Sequence, residues 1–138
     1  MTAIRVRFTK PLIYVFAVSL QLILSDVSLA GDISQRELIQ RLDMHDAPLI
    51  LDVRKPDEFA AGHIPGAVNI PHTEIDKHLD ELRGNIHNEI VVYCETGRRA
   101  GIAEGILEQA GFTKVLHLEG DMKEWRKRGL PIVSAESL

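Results

Sequence analysis

The sequence predicts an α/β fold in which a largely parallel sheet is covered by helices on both faces. Short apolar runs rich in β-branched residues alternate with helix-type segments along most of the chain. These runs are continuously apolar, which is typical of parallel strands that are buried on both faces. Because ligands of such sheets bind beyond the carboxyl ends of the strands, the functional residues are expected there.

The first 30 residues are predicted to be a signal peptide that precedes this fold. A basic segment (Arg5, Arg7 and Lys10) is followed by an uncharged, mostly apolar run, and Ser28-Leu29-Ala30 is a small-x-small cleavage site. The uncharged run is shorter than the roughly 20 residues of a transmembrane helix. We therefore expect export to the periplasm, no stable membrane anchor after cleavage, and a single domain over residues 31–138. The alternatives are an uncleaved N-terminal anchor and a wrongly chosen start codon.

Charge and cysteine content narrow the classes of function. The chain has a formal net charge of −4, and loss of the basic leader makes it more acidic, which argues against a nucleic-acid or anionic-membrane partner. Its one cysteine, Cys94, cannot form an internal disulfide. An unpaired thiol in an oxidising compartment is prone to oxidation, so its presence favours a functional role over that of a small buried apolar residue.

Helix caps and the spacing of apolar residues predict the strands and helices that precede Cys94. Residues 31–33 are predicted to be a short strand, and the capping box of Ser34 and Glu37 begins a helix. A buried strand at 49–53 precedes a short helix that starts at Pro56 and ends at Gly62. We further predict a short strand at 67–70 and an amphipathic helix at 73–82.

The elements around and after Cys94 repeat the alternation. The apolar run at 89–93 is predicted to be a buried strand, and a helix over 100–110 follows the cysteine loop. A further strand at 115–118 leads through a turn to a last helix at 122–128. Trp125 is expected to pack that helix onto the core.

The stretch from Cys94 to Arg99 is the candidate site. It places a thiol at the end of a strand, in a loop that contains Gly97 and two arginines and that leads into a helix. Inward-facing amides, the positive end of the helix dipole and arginine charge all favour a thiolate over a thiol. The loop is therefore suited to a sulfur nucleophile that meets an anionic substrate.

Three stretches in this order and spacing resemble the rhodanese family of sulfurtransferases in its single-domain, periplasmic form. The first is Leu51-Asp52-Val53-Arg54 with the residues around Gly62-His63-Ile64-Pro65-Gly66, the second is Cys94 to Arg99, and the third is Glu119-Gly120-Asp121-Met122 with Trp125. The resemblance covers roughly residues 33–133. It departs from the family at Asp121, where a second glycine is common, and at Ala100, where a small hydroxyl residue is common.

The resemblance implies a rhodanese-like three-layer fold and transfer of sulfur from thiosulfate, through a Cys94 persulfide, to cyanide or a thiol. The partners would be a small anionic sulfur donor and a thiophilic acceptor, and no metal or cofactor is implied. Cys94 would be the nucleophile, and Arg98 or Arg99 would face the substrate. The implied amides around the sulfur are those of Glu95, Thr96, Gly97 and Arg98, and the implied supporting ion-pair cluster is Asp52, Arg54 and Glu58.

Two alternatives remain open. A persulfide carrier or thiol-based sensor needs the same cysteine without turnover. A phosphatase or arsenate reductase can share the fold, but such enzymes separate the cysteine from its arginine by five residues, whereas four separate Cys94 from Arg99. The sequence leaves the physiological donor and acceptor open, and also the oligomeric state.

Overall fold

A five-stranded sheet forms the centre of the protein in a computed structural model that describes residues 31–135. Its strands lie side by side in the order β1-β5-β4-β2-β3, and every neighbouring pair is parallel. Each predicted strand is present, within one residue at either end. The strands are β1 (Gly31–Ile33), β2 (Leu49–Asp52), β3 (Val68–Asn69), β4 (Glu89–Tyr93) and β5 (Lys114–Leu118).

Five α-helices are found among the described residues. As predicted, the Ser34 side chain caps the first helix by accepting the Glu37 N–H at 3.1 Å. The helix after the cysteine loop begins at Arg98, two residues earlier than predicted, because Gly97 already adopts the capping conformation. The helices are α1 (Gln35–Asp43), α2 (Pro56–Ala61), α3 (Leu79–Leu82), α4 (Arg98–Gln109) and α5 (Asp121–Lys127).

The continuous helix predicted at 73–82 is wrong. The segment instead forms a 3₁₀ turn at Ile75–Lys77 and the single α-turn of α3, and a second 3₁₀ turn at Arg83–Asn85 follows it. His78, with φ −104° and ψ 5°, leaves helical geometry and separates the first two pieces. The apolar spacing still places Ile75 and Leu82 in the core. Burial of these side chains fixes the segment, whereas so short a helix has little stability of its own.

Apolar layers cover both faces of the sheet, as the continuous strand runs predicted. Along β4, Ile90 and Val92 pack towards α4 and Ile75, whereas Val91 and Tyr93 pack towards α1 and α5. Trp125 is fully buried in the second layer, as expected, and its Nε1 donates to the Pro131 carbonyl at 2.8 Å. The three-layer α/β prediction is therefore confirmed.

The predicted signal peptide at residues 1–30 lies outside the described residues. Between residues 31 and 135, no helix has both the length and the apolar character required to cross a bilayer.

Candidate active site

The candidate site lies at the carboxyl edge of the sheet, where β2, β4 and β5 end side by side. Asp52 is the last residue of β2, and Cys94 directly follows β4. Strand order places β4 between β2 and β5, so the segments that follow all three strands converge on the cysteine loop. This is the edge at which ligands of parallel sheets bind.

The Cys94 side chain is packed into the core and also held by its own loop. Cys94 is 1% exposed and lies in the apolar layer beneath α4. Within the described part of the chain, the one amide found donating to its Sγ is that of Gly97, at 3.1 Å. Of the four amides implied by the resemblance, those of Glu95, Thr96 and Arg98 are adjacent in the loop but make no such bond here. The thiol thus meets the amino end of a twelve-residue helix.

Gly97 is required by the shape of this loop. Its φ of +101° lies in the left-handed region that favours glycine. A Cβ at this position would lie 3.1 Å from Oδ2 of Asp121. The turn that directs an amide at Sγ is therefore strained by any larger residue at this position.

Arg99 is the arginine that interacts with the Cys94 thiol, while Arg98 is exposed. Arg99 donates to both carboxylate oxygens of Glu58, at 2.6 and 3.0 Å. This pair raises the pKa of Arg99, and contact with Cys94 raises it further. The hydrogen bond from Arg99 in turn lowers the pKa of Glu58 to about 2. Both groups remain charged, and the guanidinium is held next to the sulfur.

Asp52 and Arg54 form a buried ion pair below the loop. Nη2 of Arg54 lies 2.6 Å from Oδ2 of Asp52 and donates to the Gly62 carbonyl at 2.8 Å. Burial lowers the pKa of Arg54, but the bonds to Asp52 outweigh it and the net shift is upward. Glu58, in the first turn of α2, accepts its side-chain hydrogen bonds from Arg99 of α4 and interacts with Arg54 through charge.

A cleft of about 430 Å³ opens beside the cysteine loop. Glu95 lies between two cations at this cleft: Arg126, which donates to its carboxylate, and Arg54, at 3.8 Å. The lining therefore carries both signs of charge and can accept a small ion whose charge is balanced locally. The lining residues are Arg54, Glu58, Ala61, Gly62, Glu95, Met122, Arg126 and Ile132.

Three site residues were not predicted from the sequence. Asp121 accepts the Cys94 N–H at 2.8 Å, and its other oxygen lies 3.0 Å from Nε2 of His117. The other ring nitrogen of His117 lies 2.5 Å from Glu104. The one sequence signal was the departure from glycine at Asp121, which predicted only an altered loop near the mouth of the site.

Several known proteins are similar to this chain in sequence or in fold. A sulfurtransferase of Allochromatium vinosum is 35% identical over 108 residues, which are 78% of this chain and 99% of that protein. YrkF of Bacillus subtilis, a proposed sulfur carrier protein, is 37% identical over 94 residues, and the match spans 68% of this chain but only half of YrkF. The human single-domain sulfurtransferase TSTD1 superposes with a TM-score of 0.62 at 29% identity, over 70% of this chain and 96% of that one.

The family model that matches is the rhodanese-like domain, over residues 34–128. This range contains every strand after β1, the cysteine loop and the three residues that hold it. The fold is the rhodanese fold, as the resemblance implied. The chain therefore belongs to the rhodanese-like family of sulfurtransferases and sulfur carriers.

Proposed function

We propose that this protein moves a sulfane sulfur from thiosulfate, or a similar anionic donor, through a persulfide on Cys94 to cyanide or a thiol. The observation that carries this proposal is the Cys94 thiol, which accepts the Gly97 amide at the amino end of α4 and faces the Arg99 guanidinium. A thiolate is the attacking species in sulfur exchange. The two neighbours bring an N–H donor and a guanidinium charge to the Cys94 sulfur.

The first half-reaction loads the cysteine. The Cys94 thiolate attacks the outer sulfur of thiosulfate, a new S–S bond forms, and sulfite leaves with the electron pair of the donor's S–S bond. Arg99 is placed to offset the charge that gathers as two anions meet. The Gly97 N–H donates to the sulfur that becomes the inner atom of the persulfide.

The second half-reaction removes the outer sulfur from the Cys94 persulfide. Cyanide or a thiolate attacks the outer persulfide sulfur, the S–S bond breaks, and Cys94 leaves as the thiolate that began the cycle. No external oxidant or reductant is consumed, since one S–S bond is exchanged in each half-reaction when the acceptor is a thiol. With cyanide, the sulfur leaves as thiocyanate and the same thiolate is restored.

The second candidate is a persulfide carrier with no useful turnover on small acceptors. The carrier function is favoured by the name of YrkF, a proposed sulfur carrier protein. Because the match covers only half of YrkF, the function of that whole protein is not carried over to this chain. The cleft of about 430 Å³ also has room for an acceptor larger than cyanide. We further propose that the protein acts in the periplasm after removal of residues 1–30, on the basis of the sequence of that segment.

One experiment separates these candidates. The domain without its leader is incubated with thiosulfate and cyanide, and thiocyanate release is measured together with the intact mass of the protein. Turnover and a gain of one sulfur, both lost in Cys94→Ser and kept in the distant exposed control Met44→Ser, support the enzyme. A mass gain without turnover supports the carrier. A folded, reduced protein that shows neither result contradicts thiosulfate as the donor.

A further inference from the structure

Three charged side chains connect α4, β5 and α5 behind the cysteine loop, and we call them the brace: Glu104, His117 and Asp121. Glu104 lies 2.5 Å from Nδ1 of His117, and Nε2 of His117 lies 3.0 Å from Oδ2 of Asp121. The remaining oxygen of Asp121, Oδ1, accepts the backbone N–H of Cys94 at 2.8 Å. The brace therefore ends on the nucleophile's own peptide group.

Asp121 occupies an unusual backbone conformation. Its φ is +52°, and among the described residues only His45, at +57°, also combines a side chain with a positive φ. Non-glycine residues held in this region carry local strain, which persists where the surroundings fix it. Here the carboxylate is 3% exposed and bonded through both oxygens, so its contacts hold the backbone in place.

The brace also packs against Gly97, which is the second residue of the loop that positions the sulfur of Cys94. A Cβ placed on Gly97 would lie 3.1 Å from Oδ2 of Asp121 and 3.4 Å from two ring atoms of His117. Gly97 is the residue whose amide donates to Sγ of Cys94. One rigid group thus fixes the peptide of the cysteine and packs against the peptide that holds its sulfur.

The positive charge on His117 keeps the three side chains of the brace in one hydrogen-bonded arrangement near neutral pH. Its hydrogen bonds to Asp121 and Glu104 raise the pKa of His117 to about 10, against the opposing effect of burial. Among the described residues, the charged groups hydrogen-bonded to the ring are these two carboxylates, one from α5 and one from α4. A protonated imidazole between them donates in both directions, so neither carboxylate turns away.

We propose that Asp121 is a positioning residue for the Cys94 nucleophile and that Glu104 and His117 hold its carboxylate in place. This inference rests on the proposed function in one respect, the role of Cys94 as nucleophile. Asp121 touches neither donor nor acceptor. It acts by fixing the Cys94 amide, and with it the direction in which Sγ leaves the backbone.

The test compares Asp121→Gly with Asp121→Asn. Glycine accepts the positive φ and removes the carboxylate, whereas asparagine tolerates the same φ and keeps an oxygen for the Cys94 N–H. His45→Gly is the matched control, because it makes the same backbone change in an exposed loop at the opposite edge of the sheet. Readouts are hydrogen exchange of the Cys94 amide, the rate of Cys94 alkylation by iodoacetamide, and kcat and KM with thiosulfate and cyanide.

In Asp121→Gly we expect loss of Cys94 amide protection and a fall in kcat of about tenfold, with KM for thiosulfate little changed. Asp121→Asn should retain the protection and stay within about threefold of the wild-type kcat. Asp121→Gly with the wild-type kcat despite lost protection would overturn the proposal. So would an equal loss of kcat in both variants when the asparagine variant keeps its protection.

The alkylation arm separates this inference from the proposed function. If the wild-type protein transfers no sulfur from thiosulfate, that function fails. The positioning role is then supported by loss of Cys94 amide protection in Asp121→Gly together with an alkylation rate that differs from the rate shared by the wild type and Asp121→Asn. It is contradicted by equal alkylation rates in all three proteins.

Discussion

Arg99 and Glu58 form a bidentate ion pair beside the cysteine loop, with Nη1–Oε2 at 2.6 Å and Nη2–Oε1 at 3.0 Å. The pair joins α2 to the first turn of α4, and both side chains are partly exposed. Because a guanidinium fork matches a carboxylate in geometry, this contact fixes the orientation of Arg99 as well as its charge. That orientation places the cation next to Cys94, a choice between Arg98 and Arg99 that the sequence could not make.

Removal of the Arg99 side chain is expected to impair use of an anionic donor. We predict that Arg99→Ala lowers kcat/KM for thiosulfate by about tenfold or more, because one charge-assisted contact near the sulfur is lost. Arg98→Ala, which removes the exposed neighbour, should cost less than Arg99→Ala. Lys114→Ala removes a distant exposed cation and should cost nothing. Steady-state thiocyanate release measures all three, and equal losses in the two arginine variants would contradict the assignment.

Glu58 is expected to stabilise the fold in a defined pH range. Its pKa falls from an ordinary 4.5 to about 2 in the folded protein. The stabilisation is therefore present above pH 4.5 and is lost as the pH falls towards 2. Thermal unfolding should show a lower Tm for Glu58→Gln than for the wild type at pH 6, with the difference shrinking by pH 2.5. The exposed Glu108→Gln should follow the wild type throughout, and a pH-independent difference for Glu58→Gln would contradict this prediction.

The stabilisation of the fold by His117 should depend on pH in the opposite sense to the stabilisation by Glu58. Its pKa rises from 6.5 to about 10 in the folded protein, so its stabilisation is complete below pH 6.5 and disappears as the pH rises through 10. We expect His117→Gln to lower Tm by about 5 °C at pH 6. The two proteins should converge as the pH approaches 10. His87→Gln, at an exposed position, is the control, and a gap for His117→Gln that widens with pH would show the sign to be wrong.

Substitution by alanine should lower the free energy of unfolding at Gly97 and raise it at Gly105. Gly97→Ala forces a side chain into φ +101° and against Asp121, so we predict a loss of about 1–3 kcal/mol of unfolding free energy together with slower sulfur transfer. Gly105 lies within α4, where an added Cβ would have no neighbour within 4 Å, and Gly105→Ala should add about 0.5–1 kcal/mol. Urea unfolding and thiocyanate release check both, and a neutral Gly97→Ala would contradict the argument for the loop.

The sequence predicted most of the architecture because its signals are local. The apolar runs at 49–53 and 89–93 indicated buried strands, and the Ser34 capping box indicated the start of α1. The prediction for the segment at 73–82 failed because its apolar spacing reports burial of Ile75 and Leu82, which a 3₁₀ turn and a single α-turn satisfy as well as a continuous helix does.

Local patterns in the sequence predict the layered α/β fold, and they place Cys94 at a strand end before a helix, in a loop that contains arginines. These follow from residue periodicity and neighbouring positions in the chain. Two contacts become visible only in the folded chain: that of Arg99 with the thiol, and that of Asp121, 27 residues away, with the Cys94 amide. The contact of Asp121 follows from strand order, because β5 lies beside β4 and the turn after β5 therefore meets the loop after β4. No local sequence pattern records that meeting.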